Sequence, residues 1–258
     1  MPSRLKDKWV LITGASAGFG AAGAVAFAAE GAKLLLGARR VDRLEKVAAA
    51  ARKSGANEVH VRALDVADTK SVNAFVNWMK KKTHRLDVLI NNAGGAHGLD
   101  TVAEGKDTDW ETMMQVNVLG VLRMTRAALP LIPHDAGASI ITIGSHADRS
   151  PYEGGSAYCG AKAAAAQISR VLRLELCGTG IRVCLIAPGL AETEFSLVRF
   201  KGDVAKAKKP YEGTLPLVGE DIAEAMVWVT NRPPHVDIDE MVIKPTDQAA
   251  IHKVYRRK

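Results

Sequence analysis

The sequence has little cysteine, few aromatic residues and no long apolar run, and each shortage excludes a class of protein. Three cysteines in 258 residues are too few, and odd in number, for a disulfide scaffold, and no CxxC pair predicts a metal site. This usage favours a reducing compartment, so we expect a cytoplasmic protein. Aromatic residues make up 5% of the chain, which leaves few stacking platforms for single-stranded nucleic acid. No apolar stretch approaches the ~18 residues that cross a bilayer, so no membrane span is expected.

Charge and length otherwise describe an ordinary globular protein. The chain carries 35 basic and 28 acidic residues, a formal net charge of +7. Because the basic residues are scattered or form small groups, the surplus favours anionic small molecules over nucleic acid. The sequence contains no linker, low-complexity segment or internal repeat. We therefore predict one domain over residues 1–258.

Short apolar runs alternate with Ala-rich amphipathic runs along the whole chain. The predicted strands are Trp9–Ile12, Lys33–Leu36, Val59–Leu64, Leu86–Ile90, Ser139–Ile143, Ile181–Ile186 and Glu240–Ile243. The predicted helices are 21–30, 41–54, 68–82, 107–132, 156–177 and 220–230. Strands without polar alternation, each followed by a helix, indicate a doubly wound parallel α/β sheet with helices on both faces. The long irregular stretch at about 190–216 predicts a lid over a binding site, with a central part that can be helical.

The first strand leads into a glycine-rich turn, Thr13-Gly-Ala-Ser-Ala-Gly-Phe-Gly20. Its glycines let the backbone turn sharply and let a pyrophosphate approach the N-terminus of the next helix, where free N–H groups favour anions. The glycines alone fit a plain strand-to-helix turn equally well. Their position between a strand and a helix favours a dinucleotide site.

The end of the second strand predicts which dinucleotide binds. A site for NAD usually offers an acid there to the ribose hydroxyls, whereas this chain has Arg39 and Arg40. Two arginines can hold a 2′-phosphate by charged hydrogen bonds, so NADP(H) is the predicted cofactor. The alternative is that both arginines, with Arg43, only begin a solvated helix.

A third group of residues has the chemistry of an acid–base site. Tyr158 and Lys162 stand one helical turn apart, and Ser145 follows the fifth predicted strand, at the edge of the sheet where ligands bind. A phenol of pKa ~10 is a poor acid–base catalyst at neutral pH, and a nearby cation is expected to lower that pKa. Taken alone, a Tyr and a Lys at this spacing indicate two exposed side chains on a helix surface rather than an acid–base site.

Together with Asn91-Asn-Ala-Gly94, Asn117, Pro188-Gly189 and Thr193, these motifs resemble the short-chain dehydrogenase/reductase family over essentially the whole chain. The resemblance implies a Rossmann-like sheet of about seven parallel strands, a homodimer or homotetramer, and hydride transfer between NAD(P)H and a carbonyl or alcohol. It makes Tyr158 the general acid and Lys162 the residue that lowers its pKa and holds the nicotinamide ribose. Ser145 then bonds the substrate oxygen, and Asn117 positions a relay water. The residues implied at the cofactor are Gly14, Ala15, Ser16, Ala17, Gly18, Phe19, Arg39, Arg40, Asp65, Val66, Asn92, Tyr158, Lys162, Pro188, Gly189 and Thr193.

A narrower resemblance, carried by residues 17–20, 37–40, 151–155 and 194–203, is to an NADP-dependent subgroup that acts on short 3-hydroxy acids, serine-like hydroxy amino acids and malonic semialdehyde. Close relatives reduce sulfoacetaldehyde. In this interpretation Arg199 pairs with a carboxylate or sulfonate and Tyr152 donates a hydrogen bond beside it. The alternatives are a sulfoacetaldehyde reductase, a reductase of a neutral or carrier-bound ketone, and an NADP(H)-sensing binding protein without turnover. His146 and Arg149 depart from the subgroup pattern near Ser145, and the tail from Ile251 is expected to fray or to reach a neighbouring subunit.

Overall fold

The computed structural model describes residues 3–134 and 137–257, and within them a main sheet of seven strands. These are β1 (Trp9–Thr13), β2 (Lys33–Ala38), β3 (Val59–Ala63), β4 (Val88–Asn91), β5 (Ser139–Ile143), β6 (Arg182–Pro188) and β7 (Glu240–Ile243). All pair in parallel, in the order β3-β2-β1-β4-β5-β6-β7, which confirms the predicted doubly wound sheet. The order reverses between β1 and β4, and ligands of such sheets bind at the carboxyl ends of the strands beside that reversal.

Helices cover both faces of this sheet. They are α1 (Gly18–Ala29), α2 (Val41–Lys53), α3 (Thr69–Met79), α4 (Asp107–Met114), α5 (Gly120–Ala128), α6 (Ser156–Glu175), α7 (Glu194–Arg199), α8 (Val204–Lys208) and α9 (Gly219–Thr230). Helices α1, α2 and α9 pack on one face through Phe27, Leu44 and Met226, while α3 and α5 pack on the other through Phe75 and Met124. Because both faces are covered, strands β1 and β5 are buried at every position and their sequences do not alternate. None of the described helices has the length and apolar character needed to span a membrane.

The predicted long helix at 107–132 is wrong in its continuity. A π-helical turn at Gln115–Leu119 separates α4 from α5, and a 3₁₀ turn at Leu129–Leu131 ends the segment. In the π turn the Gly120 N–H donates to the carbonyl of Gln115, five residues back. Such turns insert one residue into a helix and often occur at functional sites. Apolar periodicity does not reveal a single inserted residue.

The segment 190–216 contains two short helices where one central helical stretch was expected. Helices α7 and α8 are separated by a bend in which Lys201 and Gly202 have positive φ angles of 52° and 94°. A 3₁₀ turn at Lys209–Tyr211 follows α8.

The C-terminal tail forms a structure that the sequence did not predict. Strands β8 (Gln248–Ala250) and β9 (Lys253–Val254) pair as an antiparallel hairpin. The Arg257 N–H donates to the Gly213 carbonyl at 2.6 Å, and the Asp247 carboxylate accepts from the Leu215 N–H at 2.8 Å. The expectation of a frayed tail is therefore wrong: these bonds hold it against residues 213–215 of its own chain.

Candidate active site

The carboxyl ends of the strands and segment 190–216 enclose a cavity of about 580 Å³. Most of the predicted site residues line it: Gly14, Ser16, Ala17, Gly18, Phe19, Arg39, Arg40, Asp65, Val66, Asn92, Ser145, Tyr152, Tyr158, Lys162, Pro188, Gly189, Thr193 and Arg199. Ala15 and Asn117 do not line it. The residues that the motifs separate by up to 185 positions thus share one cavity at the predicted edge of the sheet.

The glycine turn after β1 packs so closely on the loop after β4 that two of its glycines have no room for a side chain. A Cβ at Gly14, whose φ is +65°, would stand 2.8 Å from the Ala93 Cα, and one at Gly20 would stand 2.5 Å from Asn92 Nδ2. Ala17 provides no side-chain cap, so it occupies none of the N–H groups at the start of α1. An open helix N-terminus behind a glycine turn fits the pyrophosphate of a dinucleotide.

Ala15, which the sequence predicts at the cofactor, lies outside the lining of the cavity. Its side chain is fully buried in the core, and its N–H donates to the Gly37 carbonyl at 3.3 Å. Ala15 thus ties the turn to β2 and contributes no surface to the cavity.

Polar contacts fix the ends of β2, β3 and β4 where these strands border the cavity. Asn92 Nδ2 donates to the carbonyls of Thr13 at 2.8 Å and Gly14 at 3.2 Å, which joins the end of β4 to the turn after β1. Asp65 Oδ1 accepts from the Ala67 N–H at 3.0 Å, after β3. Arg40 Nη2 lies 3.4 Å from Ser16 Oγ, so this guanidinium reaches the glycine turn from the end of β2.

Tyr158 and Lys162 stand on one face of α6, and both are buried beside the end of β5. Burial raises the pKa of Tyr158 to about 12, while a hydrogen bond with Ser145 and then the charge of Arg199 oppose that rise. Burial also lowers the pKa of Lys162 to about 8. Lys162 Nζ donates to the Ile143 carbonyl at 2.9 Å and lies 5.9 Å from the centre of the Tyr158 ring.

The expected lowering of the Tyr158 pKa by Lys162 is therefore wrong for this structure. The ammonium donates to the Ile143 carbonyl, burial disfavours its charge, and burial of the phenol raises the pKa of Tyr158 overall. The groups that favour the ionised phenol are Ser145 and Arg199. At neutral pH Tyr158 is protonated, the form that a general acid needs.

Asn117 lies in the π turn and braces the loop after β4 from behind. Its Nδ2 donates to the carbonyls of Gly95 at 2.9 Å and Met113 at 2.8 Å, and its Oδ1 accepts from the Gly95 N–H at 3.1 Å. A Cβ at Gly94 would stand 2.7 Å from Asn117 Oδ1 and 3.4 Å from Lys162 Nζ, so these two side chains meet behind that glycine.

Arg199 and Tyr152 meet at the Tyr158 end of the cavity. Arg199 Nη2 donates to Tyr152 Oη at 2.5 Å. The guanidinium carbon of Arg199 lies 4.9 Å from the ring centres of both Tyr158 and Phe195, a cation–π arrangement. Among the described residues no carboxylate lies within ion-pair distance of Arg199. Arg199 is thus a cation without an acidic partner beside the Tyr158 phenol.

The sequence reasoning missed several residues of the cavity wall. They are Leu99, His146, Glu194, Phe195, Tyr211, Gln248 and Ile251. Phe195 and Glu194 stand inside the motif segment 194–203, which was the available signal. Gln248 and Ile251 come from the unpredicted hairpin, and Tyr211 is fixed through its hydroxyl, 2.6 Å from Ser196 Oγ.

The two unusual residues after Ser145 support the loop that carries it. His146 is buried, and its Nε2 lies 3.2 Å from Ser150 Oγ. Arg149 Nε donates to Asp148 Oδ1 at 2.6 Å, and its Nη2 pairs with Glu240 on β7. The Arg149–Glu240 contact anchors the turn that begins at Ser145 to β7, two strands away from β5 in the sheet.

Comparisons with known proteins agree with the geometry. Residues 8–202 match the family model described as short chain dehydrogenase. The sulfoacetaldehyde reductase of Chromohalobacter salexigens is 44% identical over 93% of this chain and 94% of its own length. The NADP-dependent 3-hydroxy acid dehydrogenase of Schizosaccharomyces pombe is 42% identical over 99% of both chains. A solved structure, the closed form of serine dehydrogenase complexed with NADP⁺, has a TM-score of 0.89 and 38% identity, covering 97% of this chain and 100% of that one.

Proposed function

The chain belongs to the short-chain dehydrogenase family, and we propose that it is an NADP(H)-dependent oxidoreductase acting on a small anionic carbonyl or hydroxy compound. The predicted substrates are a 3-hydroxy acid, a serine-like hydroxy acid or malonic semialdehyde. The names of the relatives support this proposal, since they include an NADP-dependent 3-hydroxy acid dehydrogenase and a serine dehydrogenase complexed with NADP⁺.

The cavity residues fit the cofactor. The glycine turn suits the pyrophosphate, and Arg39 and Arg40 at the end of β2 suit a 2′-phosphate. Pro188, Gly189 and Thr193, which line the cavity after β6, would hold the nicotinamide end. When bound, the dinucleotide supplies or accepts the hydride.

The protein's own part in the reaction is to place the substrate oxygen and to move one proton. In the reducing direction Tyr158 donates its phenolic proton to the substrate oxygen, and Ser145 donates a hydrogen bond to the same oxygen. Because these donors are fixed by the end of β5 and by α6, they stabilise the alkoxide as it develops. Lys162, held on the Ile143 carbonyl, would orient the ribose, and Asn117 would order a relay water behind Gly94.

One observation carries the substrate class: the Arg199 guanidinium stands 4.9 Å from the Tyr158 ring centre without a carboxylate partner among the described residues. A partly buried cation beside the acid–base phenol favours a substrate with a carboxylate or sulfonate close to its carbonyl. A neutral or carrier-bound ketone would leave this charge uncompensated. The sulfonate alternative keeps its support, because a sulfoacetaldehyde reductase is among the relatives.

A substrate panel tests the proposal directly. Oxidation of NADPH and NADH is followed against malonic semialdehyde, sulfoacetaldehyde and a neutral ketone of similar size, and NADP⁺ reduction against serine and 3-hydroxybutyrate. We expect turnover with NADPH and an anionic substrate. Turnover of the neutral ketone alone would contradict the substrate class, and NADPH binding without any turnover would favour the sensor alternative.

We also propose that residues 1–258 form one domain in which segment 190–216 acts as the lid. Support comes from the residues of that segment that line the cavity, among them Thr193, Phe195, Arg199 and Tyr211.

A homotetramer in the cytoplasm completes the proposal. Exposed apolar side chains support subunit contacts, and they lie on the segment from α4 to α5 (Met114, Leu119, Leu122) and on α6 (Val171, Leu174). Light scattering measures the subunit number. The three cysteines are unpaired, in line with a reducing compartment.

A further inference from the structure

Glu194, the first residue of α7, connects the lid to the arginines at the end of β2. Its Oε2 lies 2.9 Å from Arg40 Nη1, and its Oε1 pairs with Arg43 Nη1. Glu194 and Arg40 both line the cavity, and Arg43 belongs to the first turn of α2. One carboxylate therefore bridges two guanidinium groups across the mouth of the cofactor cavity, and the three side chains together keep one net positive charge.

This ion pair occupies the position where the proposed function places a phosphate. Arg40 also approaches Ser16 Oγ of the glycine turn at 3.4 Å, so it stands between the lid carboxylate and the dinucleotide turn. Although burial works against ionisation of Glu194, hydrogen bonds from Arg43 and Arg40 hold its pKa below the usual 4.5. Glu194 is thus an anion at neutral pH, already bound by the guanidinium group that a 2′-phosphate needs.

The ion pair between Glu194 and Arg40 is weak enough for a phosphate to displace the carboxylate. The side chains of Glu194, Arg40 and Arg43 are 37%, 43% and 42% exposed, and partly solvated ion pairs contribute only about 1 kcal/mol or less. A phosphate dianion forms stronger charged hydrogen bonds to a guanidinium than a single carboxylate does. Placed on Arg40, it would also stand within a few ångström of the Glu194 carboxylate and repel it.

We propose that Glu194 is the internal counter-ion of the 2′-phosphate subsite, and that the 2′-phosphate of the coenzyme displaces it from Arg40. This inference rests on the proposed NADP(H) dependence. A coenzyme without the 2′-phosphate leaves the Glu194–Arg40 pair in place. Glu194 is therefore a specificity-determining residue that lowers the affinity for the phosphorylated coenzyme, and its release separates the start of α7 from the β2–α2 turn.

The experiment measures binding of two coenzyme fragments to the full-length protein by calorimetry. The fragments 2′,5′-ADP and 5′-AMP differ only in the 2′-phosphate, and neither carries a nicotinamide. In Glu194→Gln we expect 2′,5′-ADP to bind about threefold to fivefold tighter than to the wild type, because the competing anion is gone. The affinity for 5′-AMP should change by less than about twofold.

Glu192→Gln is the matched control, since Glu192 is an exposed lid carboxylate for which no ion pair is seen within the described residues. It removes the same charge from the same segment, so a general electrostatic effect would appear in both variants. Thermal unfolding of both variants verifies that the fold is retained. Unchanged or weaker binding of 2′,5′-ADP to Glu194→Gln, or an equal gain in Glu192→Gln, overturns the proposal.

Arg43→Gln supplies a second test with the opposite sign. Without Arg43 the carboxylate has Arg40 as its remaining partner and competes more strongly, so 2′,5′-ADP should bind more weakly. Adding Glu194→Gln should then restore most of that loss. Failure of that restoration counts against Glu194 as the competitor.

The two proposals fail in different ways. A wild-type protein that binds 2′,5′-ADP no tighter than 5′-AMP contradicts the NADP(H) dependence itself. A wild-type protein that prefers 2′,5′-ADP, with no gain in Glu194→Gln, contradicts only the role of Glu194.

Discussion

The floor and the roof of the cavity are built differently. The floor, Ser145, Tyr158 and Lys162, stands at the end of β5 and on α6, where Tyr158 and Lys162 are 8% and 6% exposed. The roof, segment 190–216, consists of two short helices held by the C-terminal hairpin and by the partly exposed pair of Glu194 and Arg40. The sheet thus fixes the groups that we propose for proton transfer, while solvent reaches the residues that we propose for substrate and coenzyme selection.

The largest expected effect is on the floor. Tyr158→Phe should lower kcat about 10³-fold, because the proposed donor of the proton to the substrate oxygen is lost. NADPH affinity, measured by fluorescence titration, should change by less than about twofold. The roof variant Tyr211→Phe is the matched control, since it removes a hydroxyl bonded to Ser196 and Ala191 and should retain most of the activity. Equal losses in the two variants would erase the distinction between floor and roof.

The next effect concerns the coenzyme. Replacing Arg39 and Arg40 together by glutamine should weaken NADPH binding about 100-fold, since two charged hydrogen-bond donors to the 2′-phosphate are lost. NADH binding should weaken by about threefold or less, because it lacks that phosphate. Dissociation constants for both coenzymes measure the ratio. A similar loss for both would contradict the assignment of the two arginines.

Arg199→Gln should raise the KM for an anionic substrate about tenfold to fiftyfold while lowering kcat much less, because the roof binds the carboxylate and the floor moves the proton. Steady-state kinetics with an anionic and a neutral aldehyde of similar size separate the two effects. The neutral aldehyde serves as the control and should show little change. A fall in kcat with an unaltered KM would instead assign Arg199 to the proton-transfer step.

The smallest expected effect is on the free energy of unfolding, and it shows how far the buried Lys162 ammonium destabilises the fold. Lys162→Met should raise the free energy of unfolding at pH 7 by about 1–3 kcal/mol, because a buried ammonium is removed, while activity is lost. The Lys162 pKa is about 8 in the folded protein against 10.5 ordinarily, so between these values the unfolded chain binds more protons and the wild type gains stability as pH rises. The advantage of the variant should therefore shrink across that window. Urea unfolding at neutral and at alkaline pH measures it, and a constant difference would contradict the shift.

The sequence predicted the architecture well because its signals are local and repeated. Most strands of the main sheet appear as short apolar runs, six of the seven are followed by a helix, and Gly14 stands where the backbone of Ala93 leaves no room for a side chain. The spacing of Tyr158 and Lys162 likewise places both on one helix face. These features depend on residues close together in the chain, so the local sequence pattern is enough to predict them.

The features that the sequence missed depend on contacts between distant segments. The hairpin at residues 248–254 has no strong alternation, and its position follows from bonds such as that between Arg257 and Gly213. The Glu194–Arg40 pair joins residues 154 positions apart. The pKa of Tyr158 was predicted with the wrong sign because the burial of a phenol depends on the packing of Phe195 and Arg199, which motif spacing does not measure.

The π turn at Gln115–Leu119 makes this part of the chain sensitive to length. The turn takes up one residue more than regular α winding, so removing one residue there would restore that winding and change the directions in which the side chains of the turn project. Asn117 would then turn away from Gly95, and the brace behind the loop after β4 would be lost. We therefore expect a single deletion in this turn to disturb the loop after β4 more than a substitution that keeps the residue count.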